Sequence, residues 1–310
     1  CASSHAFYHS SSGALLRTTL DSTKNNVDIE KLMSKHDPIL LFASRLLPPL
    51  VAADASAIYA WCRRLDEITD NPNSNITQIR HDVDEWQFRF EKLWNGEPLD
   101  AIDAALYECI QRQKGALPKE LFHDMLAGMR ADTVEGRRIA NMDELELYAY
   151  QVAGTVGLML LPLLKADMEN ARGPAISLGK AIQLINILRD AIPDIKLGRI
   201  YIPQDLMRSN KVKEEDISAL RPSEGYKAAV KYVAERADAL LFEAEFGRSA
   251  LPGLGPLFVQ IIIELYREYL DHLEKLEFNN LIVQDGRVKI SATRKLSAAA
   301  RALGTILSGS

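Results

Sequence analysis

Residues 59–70 of the chain are YAWCRRLDEITD, and residues 184–194 are LINILRDAIPD. Each stretch carries two aspartates at i,i+4 spacing, so in a helix both carboxylates of a pair project from one face, one turn apart. The four aspartates are Asp66, Asp70, Asp190 and Asp194. If the two pairs converge, the carboxylates repel one another unless cations lie between them. Mg2+ suits this position because it prefers oxygen ligands and is commonly shared between carboxylates and substrate phosphates. The pattern therefore favours an enzyme that binds diphosphates through bridging Mg2+.

Each pair belongs to a longer polar stripe. Tyr59 and Arg63 precede the first pair at helical spacing, and Gln183 and Asn186 precede the second. Either pair alone is most simply a solvated helix face. Together they interrupt apolar helices where residues should face the core, and an unpaired buried carboxylate is costly. Two facing stripes would line a cavity with metal ligands near one end.

A third segment, residues 143–159, offers a further face to such a cavity. Tyr148, Val152 and Thr155 lie on one side of this helix, and Gly154 and Gly157 allow a neighbouring helix or a long apolar ligand to approach the backbone closely. We therefore expect an elongated apolar space beside this segment.

The 310-residue chain is 47% apolar and 25% charged, and its net charge is −5. These values are typical of a globular protein. A nucleic-acid-binding protein would normally show a basic stripe, so nucleic acid is excluded as a partner. Three cysteines show neither metal-site spacing nor a disulfide framework.

Apolar residues recur at helical spacing almost everywhere, which predicts a single all-α domain. The predicted helices cover residues 28–35, 39–47, 51–70, 76–94, 99–113, 118–131, 143–164, 173–195, 203–208, 213–219, 223–247, 254–278 and 291–306. Residues 279–290 resemble a small hairpin with Asp285-Gly286 as its turn.

The N-terminal segment and the most apolar run of the chain also bear on the domain prediction. Residues 1–27 are expected to form a flexible N-terminal segment, either a transit-peptide remnant or an ordinary disordered terminus, and residues 28–310 the folded domain. The run Val152–Leu164 contains Pro162 and is shorter than the roughly 18 residues of a spanning helix, so it is expected to be a buried helix.

The segments YAWCRRLDEITD, YAYQVAGTVG (148–157) and LGKAIQLINILRDAIPDIKLGRIYIPQD (178–205) resemble the defining blocks of the squalene and phytoene synthase family, and the last two are most similar to its phytoene synthase branch. The similarity runs from about Asp37 to Leu276. It implies an all-α isoprenoid synthase fold with a central cavity lined by helices. It also implies that two geranylgeranyl diphosphates are joined head to head, through prephytoene diphosphate, to phytoene in carotenoid biosynthesis.

The resemblance also assigns roles to residues. The expected ligands of Mg2+, or of Mn2+ in its place, are Asp66, Asp70, Asn186, Asp190 and Asp194. The expected catalytic residues are Asp66, Asp70, Asp190, Asp194, Arg63, Arg189 and Tyr148. The expected substrate-binding residues are His36, Tyr59, Arg63, Val152, Gly179, Gln183, Arg189, Tyr266 and Arg287. The implied reaction needs no NADPH.

Three departures from the family pattern bear on these expectations. The arginine that the family has after Tyr266 aligns only with a small insertion, and Arg287 is the candidate for it. In HDPILLFASRLLP (36–48), Asp37 and its neighbours stand where the family has hydrogen-bond donors for a diphosphate. Pro193 stands inside the second aspartate motif, where it removes a backbone donor and is expected to kink the helix and rotate Asp194 relative to Asp190.

Two alternative functions remain open at this point. One is a C30 enzyme that makes dehydrosqualene or squalene from farnesyl diphosphate, because cavity depth decides chain length. The other is a non-catalytic family member that acts as an assembly factor. The resemblance implies a plastid location if the source is eukaryotic and a cytoplasmic one otherwise. Because the product is an insoluble hydrocarbon, peripheral membrane association is expected.

Overall fold

The computed structural model describes residues 31, 44–71, 73–283 and 286–308. Within these ranges the secondary structure is helical, and the only β contact is an isolated bridge between Arg138 and Ile200. The all-α prediction is confirmed. Several predictions concern residues outside the described ranges. They are the flexible segment 1–27, His36, Asp37 and most of the first two predicted helices.

The helices are numbered here in chain order. They are α1 Pro49–Thr69, α2 Ile76–Trp94, α3 Ala101–Arg112, α4 Lys119–Ala131, α5 Met142–Ala149, α6 Thr155–Leu164, α7 Met168–Arg189, α8 Ala191–Lys196, α9 Gln204–Ser209, α10 Glu214–Ser218, α11 Glu224–Glu245, α12 Gly255–Lys275 and α13 Ala292–Ser308. A π-helical turn, Tyr150–Gly154, joins α5 to α6, and a short 3-10 helix, Arg248–Ala250, precedes α12.

The predicted helix 173–195 is wrong at both ends. It begins earlier because Asp167 caps α7 by accepting a hydrogen bond from the N–H of Glu169 (3.2 Å). It stops at Asp190, whose φ of −104° and ψ of 18° leave the helical region. Pro193 then falls in the first turn of α8, where an N–H has no partner inside the helix. The break precedes the proline, and Pro193 interrupts no hydrogen-bonded turn.

The predicted hairpin is also wrong for its described residues, 279–283 and 286–290, which contain no strand; Asp285 lies outside the described part. This segment instead packs on the end of α7. Asn280 donates from Nδ2 to the carbonyl of Leu188 (2.8 Å) and accepts from the hydroxyl of Tyr226 (2.9 Å). The N–H of Val288 donates to the carbonyl of Arg189 (3.1 Å). These bonds brace the backbone beside the second aspartate pair.

The core is centred on α7, which packs against α11, α6 and the π-helical turn. Gly179 of α7 makes this approach possible, because a Cβ there would lie 2.5 Å from the carbonyl oxygen of Ala153. The run Met142–Leu164 is long and apolar enough to cross a membrane, but half of its most apolar window is buried inside the protein. The expectation of a buried helix in this region is confirmed by Leu158, Leu161 and Leu163.

Candidate active site

One face of α7 lines a cavity of about 330 Å3. The α7 residues on this face are Ala171, Pro174, Ala175, Leu178, Gly179, Ile182, Gln183, Asn186 and Ile187. They recur at intervals of three and four residues, as expected for a single helix face. Because the helix rises about 22 Å between Ala171 and Asn186, the cavity is elongated and follows most of α7.

The cavity is polar at one end and mainly apolar along the rest of its length. The apolar lining comes from several other elements and includes Met125, Met129, Val152, Val156, Leu160, Leu161, Leu164, Leu251, Phe258, Val259 and Ile262. Walls of this kind exclude water and suit a long hydrocarbon chain. The glycine at position 179 keeps α7 close to the π-helical turn, so Val152 reaches the same wall.

All four predicted aspartates line the polar end. Asp66 lies in the last turn of α1 and Asp70 directly follows that helix, whereas Asp190 lies at the break between α7 and α8 and Asp194 within α8. The predicted residues Tyr59, Arg63, Tyr148, Val152, Gly179, Gln183, Asn186 and Arg189 line the same cavity. The structure thus brings together residues from three stripes that are far apart in sequence.

Arginines from the predicted site residues pair with two of these aspartates, Asp66 and Asp190. Arg63 Nη1 lies 3.7 Å from Asp66 Oδ2. Arg189 binds Asp190 through two hydrogen bonds, of 3.0 Å from Nε and 2.7 Å from Nη2. Arg287 Nε lies 3.3 Å from the same carboxylate. The cavity end is therefore a set of carboxylates held by guanidinium groups.

Burial raises the pKa of Asp66 to about 7 against the opposing effect of Arg63, and the charges of Asp70, Asp132 and Glu67 raise it further. The side chain keeps 34% exposure because it faces the cavity. Burial also raises the pKa of Asp194 well above its usual range, helped by the charge of Asp190. Burial is the main cause of both shifts and neighbouring carboxylates add to it, so a bound cation would favour the charged form of both groups.

The donor atoms at this end fit a hard cation. Asn186 presents a buried Oδ1 that has no hydrogen-bond partner among the described residues, and the carboxylates add further oxygens. Among the residues that the structure describes, no three acidic, thiol or imidazole groups lie close enough together to hold a metal ion by themselves. A Mg2+ ion here would need additional oxygen ligands, such as water or a diphosphate.

Asp132, Arg199 and Tyr201 also line the cavity but were not among the predicted site residues. The hydroxyl of Tyr148 donates to Asp132 Oδ2 (2.6 Å), and the rings of Tyr148 and Tyr201 stack at 5.3 Å. Arg137 Nη1 donates to the other oxygen of Asp132 (2.9 Å). Arg199 and Tyr201 lie in the GRIYIPQD block, which could have signalled them. Asp132 directly follows α4 and belongs to no spacing pattern that could have predicted it.

Three predicted residues stand apart from the cavity lining. Tyr266 is buried, and the centre of its ring lies 6.0 Å from that of Tyr269. The Arg189 guanidinium lies over the Tyr269 ring, 5.7 Å from its centre. Tyr266 is thus behind Arg189, and Arg287 contacts Asp190 from an exposed position. Thr155 is fully buried and donates to the carbonyl of Gln151 (2.8 Å). Substrate roles for Tyr266 and Arg287 stay predictions, as does that of His36, which lies outside the described residues.

Solved structures share this architecture. A dehydrosqualene synthase in complex with ligand superposes with a TM-score of 0.83 at 27% identity, covering 93% of this chain and 99% of that one. The squalene synthase HpnC from Alicyclobacillus acidocaldarius gives a TM-score of 0.73 at 22% identity, over 84% of this chain and 97% of the other. The second comparison supports the fold alone.

Sequence comparison identifies the family. Phytoene synthase 2, chloroplastic, of Solanum lycopersicum is 40% identical over 77% of this chain and 77% of the relative. Phytoene synthase 1, chloroplastic, of Arabidopsis thaliana is 39% identical over 80% of this chain, which spans 60% of that relative's length. Residues 33–294 match the model of the squalene/phytoene synthase family. The chain therefore belongs to the squalene/phytoene synthase family.

Proposed function

We propose that this protein catalyses the phytoene synthase reaction, the head-to-head condensation of two geranylgeranyl diphosphates through prephytoene diphosphate to phytoene. The observation that carries the proposal is the cavity itself. Carboxylates and arginines gather at one end of it, and its mainly apolar remainder follows α7 for about 22 Å. Members of this family are prenyltransferases that act on prenyl diphosphates, and the relatives named phytoene synthase support the longer substrate.

The reaction balances without a reductant. In the first half, one geranylgeranyl diphosphate loses pyrophosphate, and its C1 carbon bonds to the double bond of the other molecule. Loss of a proton then closes a cyclopropane that still carries the second diphosphate. In the second half, this diphosphate leaves, the carbon skeleton rearranges, and a second proton is lost to give the central double bond. No hydride is consumed, so NADPH is not required.

We assign Mg2+, with Mn2+ as a possible substitute, to Asp66, Asp70, Asp190, Asp194 and Asn186. When bound there, the metal would neutralise the charge of the leaving diphosphate. Arg63 and Arg189, already among the carboxylates, would bind the diphosphate oxygens through charge-assisted hydrogen bonds.

Other residues would act on the carbon chain. Tyr148, whose proton is directed at Asp132, would present its oxygen as an acceptor near the developing positive charge. The apolar residues from Val152 to Leu164 would keep water from trapping the carbocations.

Product analysis tests the proposal and its main alternative. The protein would be incubated with Mg2+ and equal amounts of geranylgeranyl and farnesyl diphosphate, and the extracted hydrocarbons identified by mass spectrometry. Phytoene as the main product supports the proposal. A C30 hydrocarbon as the main product would favour the dehydrosqualene synthase alternative, which the 27% identical structural neighbour motivates. Absence of both, with the protein folded, would favour a non-catalytic role.

We propose a plastid location if the source is eukaryotic, since the relatives named above are chloroplastic. Peripheral membrane association is proposed because phytoene is insoluble in water. Co-sedimentation of the purified protein with liposomes of plastid lipids tests the association. Recovery of all protein in the supernatant would contradict it.

A further inference from the structure

Arg199 joins the two halves of the aspartate site. Its Nη1 donates to Asp70 Oδ1 and its Nη2 to the carbonyl of Thr69, each at 2.7 Å. Its own N–H donates to the carbonyl of Asp194 (2.8 Å). One residue therefore ties the end of α1 to the loop that follows the second aspartate pair.

The guanidinium of Arg199 is enclosed and faces several acidic groups. Its side chain is 14% exposed and lines the cavity with Asp132 and Asp194. The charge of Arg199 lowers the pKa of both carboxyls against the larger, opposing effect of their burial. Arg199 thus supplies positive charge in the region where the metal is expected.

The contact with Asp70 is incompatible with full use of that carboxylate by a metal. A guanidinium on Oδ1 blocks one oxygen and adds a positive charge that repels Mg2+. Once a metal takes Asp70, the guanidinium needs another anionic partner at the cavity wall. A diphosphate provides one, since its oxygens match the two parallel N–H groups of an arginine.

We propose that Arg199 is a further diphosphate-binding residue, which holds Asp70 until the metal arrives and then transfers its hydrogen bonds to the diphosphate. The inference rests on the proposed function. It predicts two effects of opposite sign when Arg199 is neutralised. Mg2+ alone should bind more tightly, because its competitor for Asp70 is gone. Pyrophosphate should bind less tightly once the metal site is saturated, because a cationic ligand is lost.

Titration calorimetry separates the two effects, with MgCl2 alone and then with inorganic pyrophosphate at saturating Mg2+. For Arg199→Gln we expect the Kd of Mg2+ to fall several-fold and the Kd of pyrophosphate to rise about tenfold. Arg199→Lys keeps the charge but not the fork of donors, so it should weaken pyrophosphate binding less than Arg199→Gln does. It also provides a second test if Arg199→Gln misfolds.

Arg138→Gln is the matched control. Arg138 also braces this loop, through a bond from Nη1 to the carbonyl of Gly198 (2.9 Å), but it pairs with Glu214 and is not in the cavity lining. In Arg138→Gln, the Kd of Mg2+ and the Kd of pyrophosphate should each stay within twofold of the values for the parent protein.

The outcomes distinguish the inference from the function on which it rests. If both affinities weaken together in Arg199→Gln, or neither changes, Arg199 is only a structural brace and the inference fails while the proposed function stands. If the unsubstituted protein binds no pyrophosphate with Mg2+ and forms no hydrocarbon, both fail.

Discussion

The hydroxyl of Tyr148 donates a 2.6 Å hydrogen bond to Asp132, and both side chains line the cavity. Tyr148 belongs to α5, whereas Asp132 follows α4. The Arg137 guanidinium lies over the Tyr148 ring at 4.9 Å and binds the same aspartate. The orientation of Tyr148 is therefore fixed by residues outside its own motif.

Asp132→Asn should lower kcat about tenfold, because the charge-assisted bond that orients Tyr148 is replaced by a weaker one. The variant should also unfold more easily, since Arg137 loses the nearer of its two carboxylate partners, Asp132 and Glu144. Steady-state kinetics and thermal unfolding measure the two effects.

The matched control is Asp124→Asn. Asp124 accepts a 3.0 Å bond from Tyr150, a tyrosine–aspartate pair outside the cavity lining. It should leave kcat within twofold. A normal kcat for Asp132→Asn would show that Tyr148 needs no such orientation.

Two glycines of α7 should respond oppositely to alanine. At Gly179 a Cβ would lie 2.5 Å from the Ala153 oxygen and 2.6 Å from the Cα of Gly154, both backbone atoms. Gly179→Ala should therefore lower the free energy of unfolding by about 2 kcal/mol. At Gly173 nothing lies within 4 Å, so Gly173→Ala should raise it by about 0.5–1 kcal/mol. Denaturant unfolding measures the free energy of unfolding of both variants. Equal changes in the two variants would contradict the close packing of α7 on the π-helical turn.

Asp100 should give a pH-dependent contribution to stability. Burial would raise its pKa, but hydrogen bonds from the N–H of Asp103 and from Arg89 and Arg64 outweigh this effect and lower the pKa to about 2. Because the folded-state pKa lies below the unfolded value of about 3.9, the contribution is complete above that pH and is lost as the pH falls towards 2.

Asp100→Asn isolates the charge, since asparagine is also a good helix N-cap for α3. The Tm difference between the parent protein and this variant should be largest at pH 6 and should shrink towards pH 2. A difference that is constant with pH would contradict the assigned ion pairs.

The far end of the cavity should select substrate length. Ala171 is buried there, about 22 Å along α7 from Asn186. Ala171→Leu should shorten the cavity and reduce turnover of geranylgeranyl diphosphate about tenfold, with a smaller effect on farnesyl diphosphate. The ratio of the two rates is the measurement, and the shorter substrate is the internal control. An unchanged ratio would mean that the tail does not reach Ala171.

The sequence predicted those parts of the site that lie on a single helix. The stripe from Tyr59 to Asp66 lies on α1, and Gln183 and Asn186 lie on α7, so helical periodicity was enough to place them on the cavity. Asp190 and Asp194 also reach the cavity, but across a break between two helices rather than on one continuous face. Asp132 could not be predicted because its meeting with Tyr148 is a tertiary contact between α4 and α5. The Asp285-Gly286 pair suggested a hairpin, but Asn280 binds this segment to Leu188 and Tyr226 instead. Local patterns cannot reveal such long-range hydrogen bonds.

The break at Asp190 shows the same limit. Pro193 suggested a kink within one long helix, whereas the backbone leaves the helix at Asp190, and Arg189 folds onto the Asp190 carboxylate. The prediction located the disturbance correctly to within one turn but assigned it to the wrong residue.

In the proposed function, the two aspartate pairs and the apolar cavity together form a head-to-head synthase for geranylgeranyl diphosphate. The most direct test is a time course with this substrate and Mg2+, with prephytoene diphosphate and phytoene quantified by mass spectrometry for the parent protein and for Asp190→Asn. We expect that in the parent protein the intermediate rises first and phytoene follows, and that neither forms in the variant. Phytoene formation at an equal rate by Asp190→Asn would contradict the proposed role of the aspartate pairs. Absence of phytoene with the folded parent protein would contradict the proposed reaction.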